Sequence, residues 1–138
     1  MKKQRVLNVI REMEKLGLSQ MLVSSQASIY YLTGKWISAG ERMIALYLNK
    51  NGQHKFIVNK LFPIEEDLGV EIIWYKDSDD SMKILSGIVN KDEALGIDKF
   101  WPSQYIIRLM ELNAVKGFVN SSGIIDELRM VKDEEEKN

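Results

Sequence analysis

Cysteine is absent from the 138 residues, which removes disulfides and thiolate chemistry together. Histidine occurs once, as His54, so no metal centre can be clustered from imidazoles, and the one imidazole available to assist a nucleophile sits at the start of a strand-like run. Proline occurs only twice, and no repeat, low-complexity tract or second domain breaks the chain. No apolar run approaches the roughly 18–20 residues that a membrane span needs, and Arg11-Glu12 interrupts any signal-peptide core behind Met1-Lys2-Lys3. Charge of one sign is also lacking. Nineteen basic and twenty acidic residues leave a net charge of −1, with no basic stripe to hold nucleic acid. What remains is 45% hydrophobic and 28% charged, the composition of one folded domain. A chain of this length buries roughly two thirds of its unfolded surface. These features point to a cytoplasmic protein whose partners are neither nucleic acid nor membrane.

Val6, Ile10, Met13 and Leu16 recur at helical spacing, and Gly17 is placed to end that helix. Residues 21–24 read as a short buried strand. Two strand-like runs, 43–49 and 55–59, flank Asn51-Gly52, a hairpin signal because both residues tolerate positive φ. A helical turn is expected over 64–68 and a strand over 71–75. Asp80 or Ser81 is placed to cap a helix over 82–89. A strand over 94–97 leads to Pro102 at a first helical position, with Ile106, Leu109, Met110 and Leu112 as the apolar face. A strand over 115–119 and a helix over 123–130 follow. Strands alternating with helices around one hairpin predict an α/β fold with a mixed sheet.

The candidate sites for chemistry are few. Asp77, Asp79 and Asp80 lack the glycine and terminal glutamate of a calcium loop and read better as a helix entry. Gly34, Gly40 and Gly52 do not form a phosphate cradle between a strand and a helix. Ser24-Ser25 and Ser121-Ser122 have no histidine close in sequence. His54 reads as a solvated strand residue, Trp74 and Trp101 as core or core-edge residues, and the seven methionines as core filling. The distinctive stretch is Ser28-Ile29-Tyr30-Tyr31-Leu32-Thr33-Gly34. Ser28 can cap a short helical turn, three apolar residues anchor it, and Gly34 ends it. Residues 35–41 then form an exposed loop closing on Glu41-Arg42.

The order Ala27-x-Ile29-x-Tyr31-Leu32-Thr33-Gly34, then Glu41-Arg42, then a β-like run, resembles the N-terminal domain of the creatinase/prolidase family. That family includes Xaa-Pro dipeptidase (prolidase) and aminopeptidase P. The resemblance covers essentially the whole chain and implies a three-layer α/β/α sandwich. It implies a hydrolase parent, a metallopeptidase whose catalytic domain holds two divalent metal ions (manganese, cobalt or zinc) with two Asp, one His and two Glu. None of those motifs occurs here, so this segment is expected to hold no metal, to carry no catalytic residue and to be inactive. Tyr31, Leu32, Thr33 and Gly34 match the family motif. Trp36, Glu41 and Arg42 fall on a loop that in relatives leans over an active site or dimer interface, and Phe62 stands where relatives place an aromatic near the pocket. Two departures stand out: Lys35 where an aromatic is usual, and Asn59 where a proline is usual. Tyr30, Tyr31 and Leu32 read as packing residues ahead of any ligand role. Arg42 suits either an ion pair with Glu41 or a helix carboxylate, or a bidentate grip on a peptide carboxylate.

The chain closes on Leu128-Arg129-Met130-Val131-Lys132-Asp133-Glu134-Glu135-Glu136. This run reads either as a solvated terminus or, through Arg129-x-x-Lys132-x-x-x-Glu136, as the start of a linker into a catalytic helix. The expected organisation is a domain over 1–128 and a linker over 129–138, with the catalytic domain beyond. Expected partners are that domain, a second copy in a homodimer, and a proline-containing dipeptide or peptide. The alternative is a stand-alone binding module of the same fold without peptidase activity.

Overall fold

The computed structural model describes residues 1–131. The elements follow one another as α1 (Lys3–Lys15), β1 (Gln20–Val23), α2 (Gln26–Thr33), β2 (Ala45–Asn49), β3 (Lys55–Asn59), β4 (Glu71–Tyr75), α3 (Ser81–Ser86), β5 (Ala94–Ile97), α4 (Ser103–Glu111), β6 (Gly117–Asn120) and α5 (Ser122–Met130). One six-stranded sheet has the order β4-β3-β2-β1-β5-β6. Only β2 runs against the others, pairing antiparallel with β1 and β3, while β3–β4, β1–β5 and β5–β6 are parallel. The expected hairpin is β2–β3, with Gly52 at φ +79 in its turn.

Alternation along the central strands divides the apolar residues between two faces. Met21, Val23, Leu46, Leu48, Phe56 and Val58 pack against α1, α2 and α5. Leu22, Ala45, Tyr47, Ile57, Leu95 and Ile97 pack against α3 and α4. The result is a three-layer α/β/α sandwich.

Several local expectations shift. The buried face of α1 is Val6, Val9 and Met13, and Leu16 is exposed, because Val9 rather than Ile10 is centred on the sheet. α2 begins earlier than expected, so its cap is Ser25, whose hydroxyl accepts from the Ser28 N–H, and Ser28 itself is buried inside the helix. Residues 64–68 form no helical turn. Ile64 and Leu68 still bury their side chains, but the chain is irregular, with the Asp67 carboxylate accepting from the Gly69 N–H. α3 is capped by Asp80 and stops at Ser86 before Gly87. Pro102 is the N-cap of α4 rather than its first residue, and β6 starts at Gly117. α5 runs to Met130; the rest of the expected linker, Lys132 to Asn138, lies outside the described residues.

Candidate functional site

β1 and β5 lie side by side and parallel, yet β1 feeds α2 on one face while β5 feeds α4 on the other. Where adjacent parallel strands send their chains to opposite faces, a crevice opens beyond their carboxyl ends. Asp98, directly after β5, ties its two banks together. Its Oδ2 accepts from the N–H groups of Ser24 (2.6 Å) and Ser25 (3.0 Å), which lead from β1 into α2. Asp98 is only 7% exposed.

The crevice holds about 680 Å³. One bank is the start of α2 (Ser24, Ser25, Gln26). The facing bank is Phe100, Trp101 and Tyr105, and the loop over 39–42 closes the third side. The Trp101 and Tyr105 rings lie 5.2 Å apart, tilted by 54°. The Tyr105 hydroxyl donates to the Glu41 carbonyl at 3.1 Å, fastening that loop to α4. Burial raises the Tyr105 hydroxyl above its ordinary pKa, so it stays a donor through neutral pH.

Arg42 takes neither expected ion-pair partner. Its Nε donates to Asp77 Oδ1 (3.0 Å) and its Nη2 to Asp77 Oδ2 (3.1 Å), and Asp77 follows β4 rather than lying on a helix. Asn59, standing where the family usually has a proline, donates its amide N–H to the same Oδ1 at 2.7 Å. Hydrogen bonds from Arg42 and then Asn59 hold the Asp77 carboxyl below its ordinary pKa, and Asp77 raises that of Arg42. Three adjacent strand ends are thereby joined by one carboxylate.

The motif residues serve the packing. Tyr31 lies beneath the Arg5 guanidinium, 4.4 Å from its ring centre, and its hydroxyl donates to the Leu128 carbonyl at 3.4 Å. Leu32 is fully buried, and the Thr33 hydroxyl donates to the Ile29 carbonyl at 2.7 Å. Gly34 closes α2 at φ +79, a left-handed conformation that suits glycine. The loop beyond is not wholly exposed, because Ile37 is buried at its middle.

Trp36 does not join Glu41 and Arg42. It is 55% exposed and meets Tyr30 edge-on, with ring centres 5.8 Å apart, over a separate hollow of about 300 Å³. Phe62 is buried in the core and does not line the crevice. His54 accepts from the Asn49 N–H through Nδ1 at 3.2 Å, and burial lowers its pKa. The two divalent metals implied by the resemblance do not fit these residues: among the described residues no three of His, Cys, Asp and Glu come together to hold an ion. Sequence reasoning missed Asp98 and Tyr105, and it placed Asp77 in a helix entry rather than against Arg42. The available signal was an aspartate at the end of a buried strand, a position where a carboxylate needs a reason to be.

Residues 5–131 match the creatinase/prolidase N-terminal domain family. The chain belongs to that family. This creatinase/prolidase N-terminal domain is 24% identical over 136 residues to a Xaa-Pro dipeptidase of Pyrococcus horikoshii, covering 96% of this chain and 36% of that protein. Its fold superimposes on a recombinant prolidase from Thermococcus sibiricus with a TM-score of 0.87 and 26% identity, over 99% of this chain and 39% of that one. A creatinase/prolidase N-terminal domain of an X-Pro dipeptidase from Streptococcus pyogenes shares the fold at a TM-score of 0.74 and 15% identity. The match covers 92% of this chain and 99% of that domain. The chain therefore spans little more than a third of the curated relative.

Proposed function

We propose that this domain is the non-catalytic N-terminal part of a Xaa-Pro dipeptidase-like metallopeptidase, where it serves dimer assembly and substrate access. The observation that carries the reading is the family match across residues 5–131. In such a protein the metals, and hydrolysis of the bond before proline, would belong to the catalytic domain and not to the residues described here. The loop through Glu41 and Arg42 is the part of this domain that meets the pocket. Its anchorage through Tyr105 and Asp77 supports a role in shaping the entrance.

The test is to incubate the 138-residue chain, and separately the longer protein it heads, with an Xaa-Pro dipeptide and manganese. Proline release by the longer protein alone is expected; release by the chain alone overturns the reading. A binding module without catalysis is the second reading, favoured by the exposed Tyr30–Trp36 pair. Reading the gene past Asn138 separates the two, since only the enzyme needs the Asp, Asp, His, Glu, Glu ligand set downstream.

A further inference from the structure

We propose that Asn51, at the tip of the β2–β3 hairpin, is a site of spontaneous covalent modification. It converts to aspartate and isoaspartate through a cyclic imide formed with the Gly52 nitrogen, at a rate set by Asn49. Asparagine is among the thermolabile residues, and Asn51 is the one asparagine of this chain that glycine follows.

Water is the co-reactant. Hydroxide takes the proton of the Gly52 amide, and that nitrogen attacks Cγ of Asn51. The new N–Cγ bond closes a five-membered ring as the Cγ–Nδ2 bond breaks. Nδ2 leaves as ammonia with a proton from water, which restores the hydroxide. A second water then adds to either ring carbonyl. Breaking the N–Cγ bond gives aspartate. Breaking the bond from the Asn51 main-chain carbon to the same nitrogen gives isoaspartate, whose chain runs through the former side chain.

The turn offers this reaction both room and a restraint. Asn51 and Gly52 are exposed, and a Cβ built at Gly52 meets nothing within 4 Å, so the ring forms in open space. Glycine has no side chain to shield its nitrogen, and its φ is free to swing that nitrogen toward Cγ. None of the turn's hydrogen bonds uses the Asn51 carboxamide. The restraint comes from Asn49. Its carbonyl accepts from the Gly52 N–H at 3.0 Å, a bond the attacking nitrogen must first give up. Its Oδ1 accepts from the Asn51 N–H at 3.0 Å and from the Gln53 N–H at 3.1 Å, bracing both sides of the reacting pair. Conversion therefore passes through the opened turn.

The two products act differently on the hairpin. Aspartate keeps the main chain and brings a negative charge to residues 49–55, which hold Lys50, His54 and Lys55 but no acid. Isoaspartate lengthens the main chain by one methylene. Gly52 then cannot close on Asn49 in the same register, and turn geometry is what sets register in a hairpin. The loss falls on the pairing of β2 with β3.

The experiment incubates the folded 138-residue chain in mildly alkaline 18O-water, beside a peptide of residues 47–56 and the chains carrying Asn49→Ala, Asn49→Asp and Asn51→Gln. Peptide mapping by mass spectrometry locates the label. It is expected first at residue 51, about tenfold more slowly in the folded chain than in the peptide. Asn49→Ala should recover most of that gap, whereas Asn49→Asp, which keeps the acceptor oxygens, should stay slow. Asn51→Gln should take up no label there. 1H–15N spectra check that each variant is folded and follow Gly52 and Gln53 as the parent chain converts. Absence of label at residue 51 over many peptide half-lives overturns the proposal, as does label reaching Asn113 or Asn120 equally fast. So do equal rates in the parent chain and Asn49→Ala, or in Asn49→Asp and Asn49→Ala.

Discussion

Arg42 and Asp77 meet fork to fork, with two N–H groups on two carboxylate oxygens at 3.0 and 3.1 Å. The pair joins the segment before β2 to the turn after β4, so it fixes where the loop over 39–42 begins its return to the sheet. Both side chains are exposed, and exposed pairs contribute little to stability. Their effect is expected mainly in position and titration, with a small coupling in stability. Arg42→Ala should return the Asp77 carboxyl toward its ordinary pKa, read by NMR titration. The sign follows from the lowered folded value: the pair's stabilisation is present above the unfolded carboxylate pKa and is lost as pH falls through the folded one. In a double-mutant cycle, Arg42→Ala and Asp77→Ala should be non-additive in thermal stability; additive losses would show that the pair is not coupled.

Asp98 should matter more, because it is buried and serves two backbone donors. Asp98→Ala leaves the Ser24 and Ser25 N–H groups without a side-chain acceptor. A loss of about 1–3 kcal/mol in urea unfolding is expected. Asp98→Asn keeps an acceptor oxygen and should lose less than half as much; equal losses would mean that the charge, not the hydrogen bonds, holds the turn.

Gly96 has no room for a side chain. A Cβ built there lies 2.7 Å from the Ser121 hydroxyl and 2.9 Å from Leu18 Cδ2. Gly96→Ala should destabilise the chain by about 1–3 kcal/mol through overpacking. Ser121→Gly in the same chain should restore part of that, as measured by chemical denaturation.

His54 gives a second pH dependence. Burial lowers its folded pKa, so the unfolded chain binds the proton first, and stability falls as pH drops from about 6.5. Protonation of Nδ1 also removes the acceptor for the Asn49 N–H. His54→Gln should flatten the stability profile between pH 7 and pH 5; an unchanged slope would place the titration elsewhere.

Much of this fold was legible because local signals and tertiary needs agreed. Asn51-Gly52 fixed the hairpin, and the apolar runs at 71–75 and 94–97 became β4 and β5 at those bounds. Gly34 ended α2 as its missing Cβ allows. The errors came where two residues could do one job. Ser25 and Ser28 are both good caps, and only the position of β1 decides between them. Ile64 and Leu68 have helical spacing, but Pro63 and the Asp67 turn leave them buried from an irregular strap. The crevice was hardest to foresee, since Asp98 and Trp101 lie between β5 and α4 and Tyr105 on α4, while Ser24 follows β1 and Arg42 precedes β2. No local pattern announces a neighbour made by crossover. The family motif pointed close by, at residues whose own work is packing.

The split of connections at β1 and β5 has a mechanical side. The helix layers on the two faces of the sheet are separate apolar bodies, one containing α2 and the other α4. The crevice is flanked by the first residues of both. Asp98, bonded across from the start of one to the start of the other, acts as a stitch through the sandwich that couples the opening of one layer to the other. Amide exchange in Ile29 and in Leu109, on opposite sides of the sheet, should then quicken together in Asp98→Ala.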